Sequence, residues 1–356
     1  MRQFGFQIIV YAMIAFVNKQ EDFQNQLVVI PYQLILKILK STIPLIERDG
    51  AMKRIKIGNK LEASAVSMGC MRISGKSPQE VSGLVKIAID GGIDFFDHAD
   101  IYGGGGSETV FAAAIKDLGI PRDKILIQTK CGIKKGLFDF SKEHIVSSLE
   151  NSLKRLDTDY VDVFLLHRPD TLMEPEEVAE AFDILHKAGK ARYFGVSNHN
   201  PGQIRLLNKY LGGNRIVANQ LQFSPAHTGM IDVGLNVNMT NPPSADHDGS
   251  ILEFCRFEDI TIQAWSPFLY GFFEGVFLGN DKFPELNKAI DEIAAEKNVT
   301  AEAVVVAWIL RHPAKMQAIP GTTNVERLKG ICKGCGFEMS REEWYAIYRA
   351  AGNVLP

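Results

Sequence analysis

Short apolar runs recur along the chain from residue 66 onward, and segments with helical spacing separate them. A parallel strand buried on both faces is apolar at nearly every position, whereas a helix covering a sheet is apolar at every third or fourth position. The runs with the first pattern are 66–68, 93–96, 125–127, 161–166, 193–196, 216–218, 260–264 and 316–319. Eight strands that alternate with helices predict an α/β protein whose fold is a (β/α)8 TIM barrel.

Residues typical of helix starts stand between these runs. Ser77 precedes Pro78, which is the expected order of an N-cap residue and the first residue of a helix. Ser141 opens a second segment with helical spacing, and Pro175 starts a third that runs to Gly189. These signals predict helices that cover the outside of the barrel.

Three further features extend the simple repeat. Residues 53–57 and the residues from Leu61 onward flank a short turn, which predicts an N-terminal β-hairpin that plugs the bottom of the barrel. The helical segments 285–297 and 300–312 both precede the last strand, which is one helix more than the repeat requires. Residues 341–351 predict an additional helix at the C-terminus.

Two segments interrupt the rhythm of strands and helices. Residues 224–247 are rich in proline and small polar residues, and residues 266–283 combine glycines with several aromatic residues. Both follow the C-terminal end of a predicted strand, so both are expected over the mouth of the barrel. Long loops in that position commonly form substrate walls or lids.

Composition and charge narrow the range of partners. The chain has 356 residues, a net charge of −3 and a pI near 6.3. It contains no strongly basic run, so no nucleic-acid partner is expected. The five cysteines are odd in number and scattered, which indicates a reducing, cytoplasmic compartment rather than a disulfide framework. Cys332 and Cys335 supply only two ligands, and no metal site is predicted.

The first 51 residues differ from the rest of the chain. Residues 4–17 form an apolar stretch that is shorter than the roughly 20 residues of a membrane-spanning helix, and no cleavage signal follows. We interpret residues 1–51 as an N-terminal extension, either disordered or read from a mis-assigned start upstream of Met52, and residues 52–356 as the barrel domain. A membrane-associating leader is the competing interpretation, whereas the barrel itself is expected to make no membrane contact.

Four polar residues stand at or just beyond the ends of predicted strands: Asp97, Tyr102, Lys130 and His167. The C-terminal strand ends of a barrel converge on one mouth, where the active site lies. A lysine beside a tyrosine lowers the pKa of the phenol from its usual value of about 10, and an aspartate could hold that lysine. Each of the four residues could instead have only a structural role in its own loop. Together, however, they suit acid–base chemistry on a carbonyl or an alcohol.

Four motifs make a family resemblance specific. Residues 96–103 resemble the signature loop of the aldo-keto reductases, in particular the bacterial general aldo/keto reductase type, and residues 165–170 resemble the histidine strand of its bacterial members. Residues 195–198 are similar to the family's nicotinamide-binding strand end, and residues 319–327 to its adenosine-phosphate segment. The motifs follow the family's order and span the chain from about residue 53 to the C-terminus.

The resemblance implies a role for each of the four residues. Tyr102 would be the general acid, Lys130 would assist it, Asp97 would anchor the lysine, and His167 would orient the carbonyl. The residues that the resemblance places around the cofactor are Met71, Arg72, Ser197, Asn198, Gln220, Trp265, Ser266, Pro267, Thr322 and Arg327. Among them, Ser197, Asn198 and Gln220 would bind the nicotinamide carboxamide. Trp265 would stack on the ring, and the segment that starts at Ser266 and Pro267 would cover the pyrophosphate.

The chain departs from the family pattern at the adenosine end of the expected cofactor. Gly321 stands where many members have a lysine, and Gly330 and Ile331 replace the usual Glu-Asn pair. Arg327 matches the arginine that grips the 2′-phosphate, and a guanidinium can hold a phosphate with two hydrogen bonds. NADP(H) is therefore the expected cofactor, with NAD(H) as the alternative.

The resemblance implies an NADP(H)-dependent oxidoreductase that reduces aldehydes or ketones to alcohols by hydride transfer, with a small carbonyl compound as its partner. The alternative is an NADPH-binding regulatory subunit of low activity that senses redox state. A metal-dependent hydrolase that uses Asp97, His167 and Asp170 is a third hypothesis. The spacing of these residues gives little support to a two-metal site. No pattern in the sequence predicts an oligomeric state.

Overall fold

The computed structural model describes residues 52–334 and 336–356. The strands of the barrel are β3 (Met68–Gly69), β4 (Phe95–Asp97), β5 (Leu126–Cys131), β8 (Val161–Leu166), β9 (Ala191–Ser197), β10 (Ile216–Gln222), β11 (Thr261–Trp265) and β14 (Gln317–Ile319). Three two-stranded hairpins accompany them: β1 (Arg54–Ile57) with β2 (Leu61–Ser64), β6 (Ile133–Lys134) with β7 (Leu137–Phe138), and β12 (Leu269–Tyr270) with β13 (Gly275–Val276).

Helices connect the strands and cover the outside of the barrel. They are α1 (Pro78–Asp90), α2 (Gly106–Asp117), α3 (Lys142–Leu156), α4 (Pro175–Lys187), α5 (Pro201–Tyr210), α6 (Gly229–Leu235), α7 (Ile251–Phe257), α8 (Pro284–Lys297), α9 (Ala301–Arg311), α10 (Val325–Gly334) and α11 (Arg341–Ala350). The extra helix before the last strand and the helix at the C-terminus are both present, as the sequence predicts.

The eight barrel strands pair in parallel, each with its neighbour in the chain. The ring closes between its first and last strands, because Val66 forms a parallel bridge with Ala318 just before β3 begins. The Ser67 amide donates to the Ala318 carbonyl at 2.9 Å, and the Ala318 amide donates to the Ala65 carbonyl at 2.9 Å. The predicted (β/α)8 barrel is therefore confirmed.

The N-terminal hairpin seals the bottom of the barrel. Ile57 on β1 and Ala63 on β2 are buried, and they pack in one cluster with Phe95, Val163 and Val217 from the barrel strands. Each of these side chains removes apolar surface from water at the end of the barrel that lies opposite the mouth. The predicted plug is confirmed.

Side-chain caps define the starts of two of the three helices whose start residues the sequence indicates. The Ser77 hydroxyl accepts a hydrogen bond from the Glu80 amide, and the Glu80 carboxylate accepts one from the Ser77 amide, which makes a capping box before α1. The Ser141 hydroxyl caps α3 by accepting a hydrogen bond from the His144 amide. Pro175 begins α4 as predicted, and that helix starts without a side-chain cap.

The two segments that interrupt the sequence pattern hold local structure of their own. Residues 224–247 include α6, and the segment 266–283 folds into the hairpin of β12 and β13. Phe272 and Phe273 at the tip of this hairpin are exposed. The 266–283 segment lines the mouth of the barrel, as the sequence predicts.

Residues 1–51 lie outside the described part of the chain, and so do the predictions of an extension or a leader. Among the helices of the described residues, none is long and apolar enough to cross a membrane.

Candidate active site

Three neighbouring strands bring the four candidate catalytic residues to the mouth of the barrel. Asp97 is the last residue of β4, Lys130 is the second-last residue of β5, and His167 follows the end of β8 directly. Tyr102 begins the 3₁₀ turn Tyr102–Gly105 in the loop after β4. Because β4, β5 and β8 pair in parallel, their C-terminal ends lie side by side.

Lys130 is the centre of this arrangement. Its side chain is completely buried, and its Nζ donates to Asp97 Oδ2 at 2.8 Å, to the His98 carbonyl at 2.8 Å and to the Tyr102 hydroxyl at 3.1 Å. An ammonium group has three hydrogens, so every donor has an acceptor. Burial without these partners would cost several kcal/mol, at least ~3, because a lone charge would lose its hydration. The position of Nζ beneath the Tyr102 hydroxyl is therefore well determined.

The charges around Tyr102 and Lys130 shift the pKa of both groups. Burial opposes the charged form of Lys130, but Asp97 and Tyr102 outweigh it and raise the pKa of the lysine. Burial also raises the pKa of Tyr102, and Lys130 lowers it by less than that amount. The lysine thus acts in the expected direction, but the net pKa of the phenol lies above its ordinary value. Tyr102 is a protonated hydroxyl at neutral pH, held against an ammonium group.

His167 lies against the same tyrosine. The two rings meet edge to face, with their centroids 5.9 Å apart. Burial, followed by the charges of Lys130 and Arg168, lowers the pKa of His167 well below its usual range. The imidazole is therefore neutral at physiological pH, and a neutral ring can donate a hydrogen bond from one nitrogen.

A row of glutamines supports the other side of Asp97, and the sequence pattern does not predict this row. The Gln128 amide donates to Asp97 Oδ1 at 2.6 Å and to Gln263 Oε1 at 3.0 Å, and the Gln220 amide donates to Asp97 Oδ1 at 3.0 Å. Gln263 donates onward to Gln317 at 2.8 Å. All four glutamines are buried inside the barrel. The available signal was an amide side chain inside each of these strands, since a buried polar group needs a partner.

A cavity of about 550 Å³ opens above these residues. Asp97, Tyr102 and His167 line it, whereas Lys130 lies beneath its floor. The residues predicted to bind the cofactor also line this cavity; they are Met71, Arg72, Ser197, Asn198, Gln220, Trp265, Ser266, Pro267, Thr322 and Arg327. The fold therefore brings both predicted groups of residues to one place, with volume enough for an elongated ligand.

The polar groups on one wall of the cavity hold each other in position. The Ser197 hydroxyl donates to the Gln220 carbonyl at 2.9 Å and accepts from the Asn198 amide at 2.7 Å. The Trp265 indole donates to Asn198 Oδ1 at 3.3 Å. Asn198 and Ser266 both have positive φ angles, of 57° and 52°. Strained backbone of this kind clusters at ligand sites, where neighbouring contacts hold it.

The far end of the cavity carries positive charge. Arg327 Nε lies 3.3 Å from Glu302 Oε1, and Arg72 Nη1 lies 3.5 Å from the Gly321 carbonyl that accepts from it. The Thr322 hydroxyl accepts from the Asn324 amide at 3.1 Å. Glu302 was not foreseen from the sequence. It neutralises part of the charge of Arg327, which is the residue predicted to bind a phosphate.

Asp170 does not join Asp97 and His167 in the lining of the cavity, as the metal-dependent hydrolase hypothesis requires. Asp170 accepts hydrogen bonds from the backbone amides of Phe140 and Leu172, at 3.0 and 2.9 Å, and so organises its own loop. Across residues 52–334 and 336–356, no group of three or more histidine, cysteine or acidic residues could hold a metal ion.

Comparison with known proteins places the whole barrel in one family. Residues 65–351 match the Aldo/keto reductase family. The chain belongs to that family. It is a family of oxidoreductases, and the network of Asp97, Lys130 and Tyr102 at the mouth is consistent with the family's catalytic set.

The match to individual relatives extends over nearly their full length. The chain is 35% identical to the uncharacterized oxidoreductase YcsN of Bacillus subtilis over 314 residues, which are 84% of this chain and 98% of the relative. It is 34% identical over 314 residues to a 6-dehydroglucose reductase of Agrobacterium fabrum, with the same coverage. A Klebsiella pneumoniae aldo-keto reductase, solved in complex with NADPH, superposes with a TM-score of 0.67 at 25% identity, covering 84% of this chain and 94% of that one.

Proposed function

We propose that this protein reduces aldehydes or ketones to alcohols with NADPH as the hydride donor. The observation that carries the proposal is the environment of Lys130, whose Nζ donates to both Asp97 and the Tyr102 hydroxyl beneath the cavity. A protonated phenol that points into a cavity and rests on an ammonium group is a positioned general acid. The family membership of the chain supports the same reaction class.

Each residue of the set then has one task. Tyr102 gives its proton to the substrate oxygen, and the Lys130 ammonium stabilises the phenolate that remains, because opposite charges attract strongly where water is excluded. Asp97 keeps Lys130 charged and in position. His167, as a neutral imidazole, donates a hydrogen bond to the same oxygen and orients the carbonyl.

The chemistry of the cavity wall fits a nicotinamide cofactor. Ser197, Asn198 and Gln220 offer the hydroxyl and amide groups that suit a carboxamide, and Trp265 borders the same space. Arg327 stands at the other end, where a phosphate would be bound. The reduced nicotinamide supplies the hydride when it is bound. The relative that was solved with NADPH supports NADPH as the cofactor.

The test is NADPH oxidation by the purified full-length protein with a panel of aldehydes and ketones. We expect turnover with at least one class, and a loss of about 10²–10⁴-fold in kcat for Tyr102→Phe because the proton donor is removed. Tyr345→Phe on α11 is a matched control that removes a hydroxyl elsewhere in the fold. Full turnover by Tyr102→Phe would refute the assignment of the acid.

The same panel distinguishes the regulatory alternative. Quenching of protein fluorescence by NADPH without turnover of any substrate would favour a cofactor-binding subunit over a reductase. Comparing kcat/KM for NADPH and NADH tests the cofactor choice, which we expect to favour NADPH because Arg327 can pair with the additional phosphate.

A further inference from the structure

Arg168 is a cation in the wall of the active-site cavity that lacks an acidic partner. It follows His167 directly, is half-buried and lines the cavity. It makes no hydrogen bond and no ion pair with any residue in the described ranges. Buried or half-buried guanidinium groups are ordinarily paired, because their donors lose water without a replacement. Arg168 has no such protein partner, so its N–H groups remain available to a ligand in the cavity that it lines.

The other charges of the cavity wall are already accounted for. Asp97 is paired with Lys130, and Arg327 lies 3.3 Å from Glu302. Arg72 donates to the Gly321 carbonyl at the opposite end of the cavity. Near His167, the charge of Arg168 is left without compensation.

Two aromatic rings contact this guanidinium. Its Cζ lies 5.7 Å from the ring centroid of Trp265 and 5.5 Å from that of Phe272. Such contacts use the π-faces of the rings and the plane of the guanidinium, and they leave the N–H groups at its edge available. Those groups form the planar fork that binds a carboxylate through two parallel hydrogen bonds.

The surrounding wall strengthens such a contact. Ile101, Ile133, Phe268 and Phe272 are apolar neighbours in the lining of the same cavity. An apolar surrounding lowers the local dielectric constant, so an anion gains more from a guanidinium there than it would in water. A neutral ligand gains no such advantage.

We propose that Arg168 is an anion-binding subsite of the substrate pocket, and that the preferred substrates are carbonyl compounds that carry a carboxylate. The proposal rests on the proposed function, because it names the substrate class of the same site. Arg168 is adjacent to His167, so the carboxylate sits on the same small molecule as the reacting carbonyl. Arg168 is thus a specificity-determining residue, distinct from the four that act on the carbonyl oxygen.

The test compares substrates that differ in charge. The probes are 2-, 3- and 4-carboxybenzaldehyde, each measured against its own methyl ester, with full-length protein and NADPH. We expect kcat/KM to favour the acid over the ester by about tenfold or more for at least one isomer, since hydrogen bonds to charged groups are among the stronger ones. The isomer with the largest ratio reports how far the carboxylate lies from the carbonyl.

Variants assign the preference to Arg168. In Arg168→Leu the acid-to-ester ratio is expected to fall to about one or below, and Arg168→Lys is expected to keep part of it because the charge remains without the planar fork. Phe272→Leu is the matched control: it removes a ring against the guanidinium but keeps the cation, so the preference for acids should persist. Retention of the full acid preference in Arg168→Leu would overturn the proposal, whatever Phe272→Leu shows.

The remaining outcomes separate this proposal from the proposed function. Turnover with equal rates for acids and esters would overturn the subsite and leave the reductase assignment intact. No turnover of any probe or any other carbonyl compound would overturn both. NADPH affinity, measured by fluorescence quenching, decides the source of the anion: a tenfold weaker affinity in Arg168→Leu would assign the guanidinium to the phosphates of the cofactor and overturn the substrate role.

Discussion

The side-chain amide of Gln128 donates to Asp97 Oδ1 at 2.6 Å, on the oxygen that Lys130 does not use. The two carboxylate oxygens are therefore held from opposite sides, one by the ammonium group and one by amides of the barrel interior. Gln128 also donates to Gln263, which links the carboxylate to a polar row inside the barrel. This contact makes Gln128 a positioning residue for the ion pair beneath Tyr102.

Replacing Gln128 by methionine tests that role. Gln128→Met keeps a similar volume but removes a hydrogen bond to a charged group, which is worth about 1.5–3 kcal/mol. We expect kcat/KM for carbonyl reduction to fall about tenfold and its alkaline pH limit to shift, since Asp97 would hold Lys130 less firmly. The measurement is a pH profile of kcat/KM together with a thermal unfolding curve.

Gln317→Met is the matched control for that variant. Gln317 lies in the same row, where it accepts from Gln263 at 2.8 Å and donates to the Ser64 carbonyl at 2.8 Å, but it makes no contact with Asp97. Its replacement should lower stability and leave the pH profile as it is. Equal changes in the pH profiles of both variants would show that Gln128 acts only through packing.

The buried pair of Lys130 and Asp97 should be more costly to break than to remove. Lys130→Met leaves the carboxylate of Asp97 buried without its charge partner, which costs about 3–5 kcal/mol of unfolding free energy. The double variant with Asp97→Asn leaves no buried charge, so we expect it to recover much of that stability while activity stays lost. Urea unfolding of both variants measures the difference, and a double variant as unstable as the single one would contradict it.

The pKa of Lys130 determines the pH range over which the ion pair with Asp97 stabilises the protein. Its folded-state pKa is raised above the unfolded value of about 10.4, so its stabilising contribution is fully present below that pH. The contribution is lost as the pH rises through the folded pKa. In the wild-type protein it should therefore persist across the neutral range and disappear only in strong alkali.

His98 should make the protein sensitive to acid. It is fully buried against Phe111, both of its ring nitrogens lack a partner within the described residues, and burial followed by the charge of Lys130 lowers its pKa to about 3. The unfolded chain binds a proton at this site below about pH 6.5 and the folded one does not. Stability is therefore present above that pH and falls as the pH drops, by up to about 1.4 kcal/mol per unit.

His98→Phe tests this assignment, because phenylalanine keeps a ring against Phe111 and cannot bind a proton. The variant should lose stability less steeply between pH 6.5 and 4 than the wild type, by up to about one proton in the slope of unfolding free energy against pH. The measurement is urea unfolding at several pH values. His312 is a second histidine whose pKa is lowered, to about 4, and it lies outside the barrel mouth. Burial, followed by the charge of Arg256, lowers this pKa. His312→Phe gives a comparison, and an unchanged slope in His98→Phe would contradict the prediction.

Much of the fold follows from local sequence. The apolar run at 161–166 is a buried strand over the same residues, and Ser77 with Glu80 forms the cap that its sequence position indicates. Such features depend on side chains a few residues apart, so the sequence contains the information directly. The sequence also predicts the placement of Asp97, Lys130 and His167 at strand ends, and the ends of parallel strands converge at one mouth.

The contacts between distant strands were decided by the closed barrel. Gln128 and Gln263 are separated by 135 positions, and nothing in either strand's pattern names the other as its partner. Glu302 reaches Arg327 because α9 packs against α10, and Arg168 meets Phe272 because the hairpin of β12 and β13 lies at the mouth. The pKa of Tyr102 shows the same division. The sequence identifies Lys130 as the residue that lowers this pKa, but burial in the folded barrel raises it by more than the lysine lowers it. Burial and long-range pairing are properties of the whole fold, because they depend on which surfaces the closed barrel removes from water.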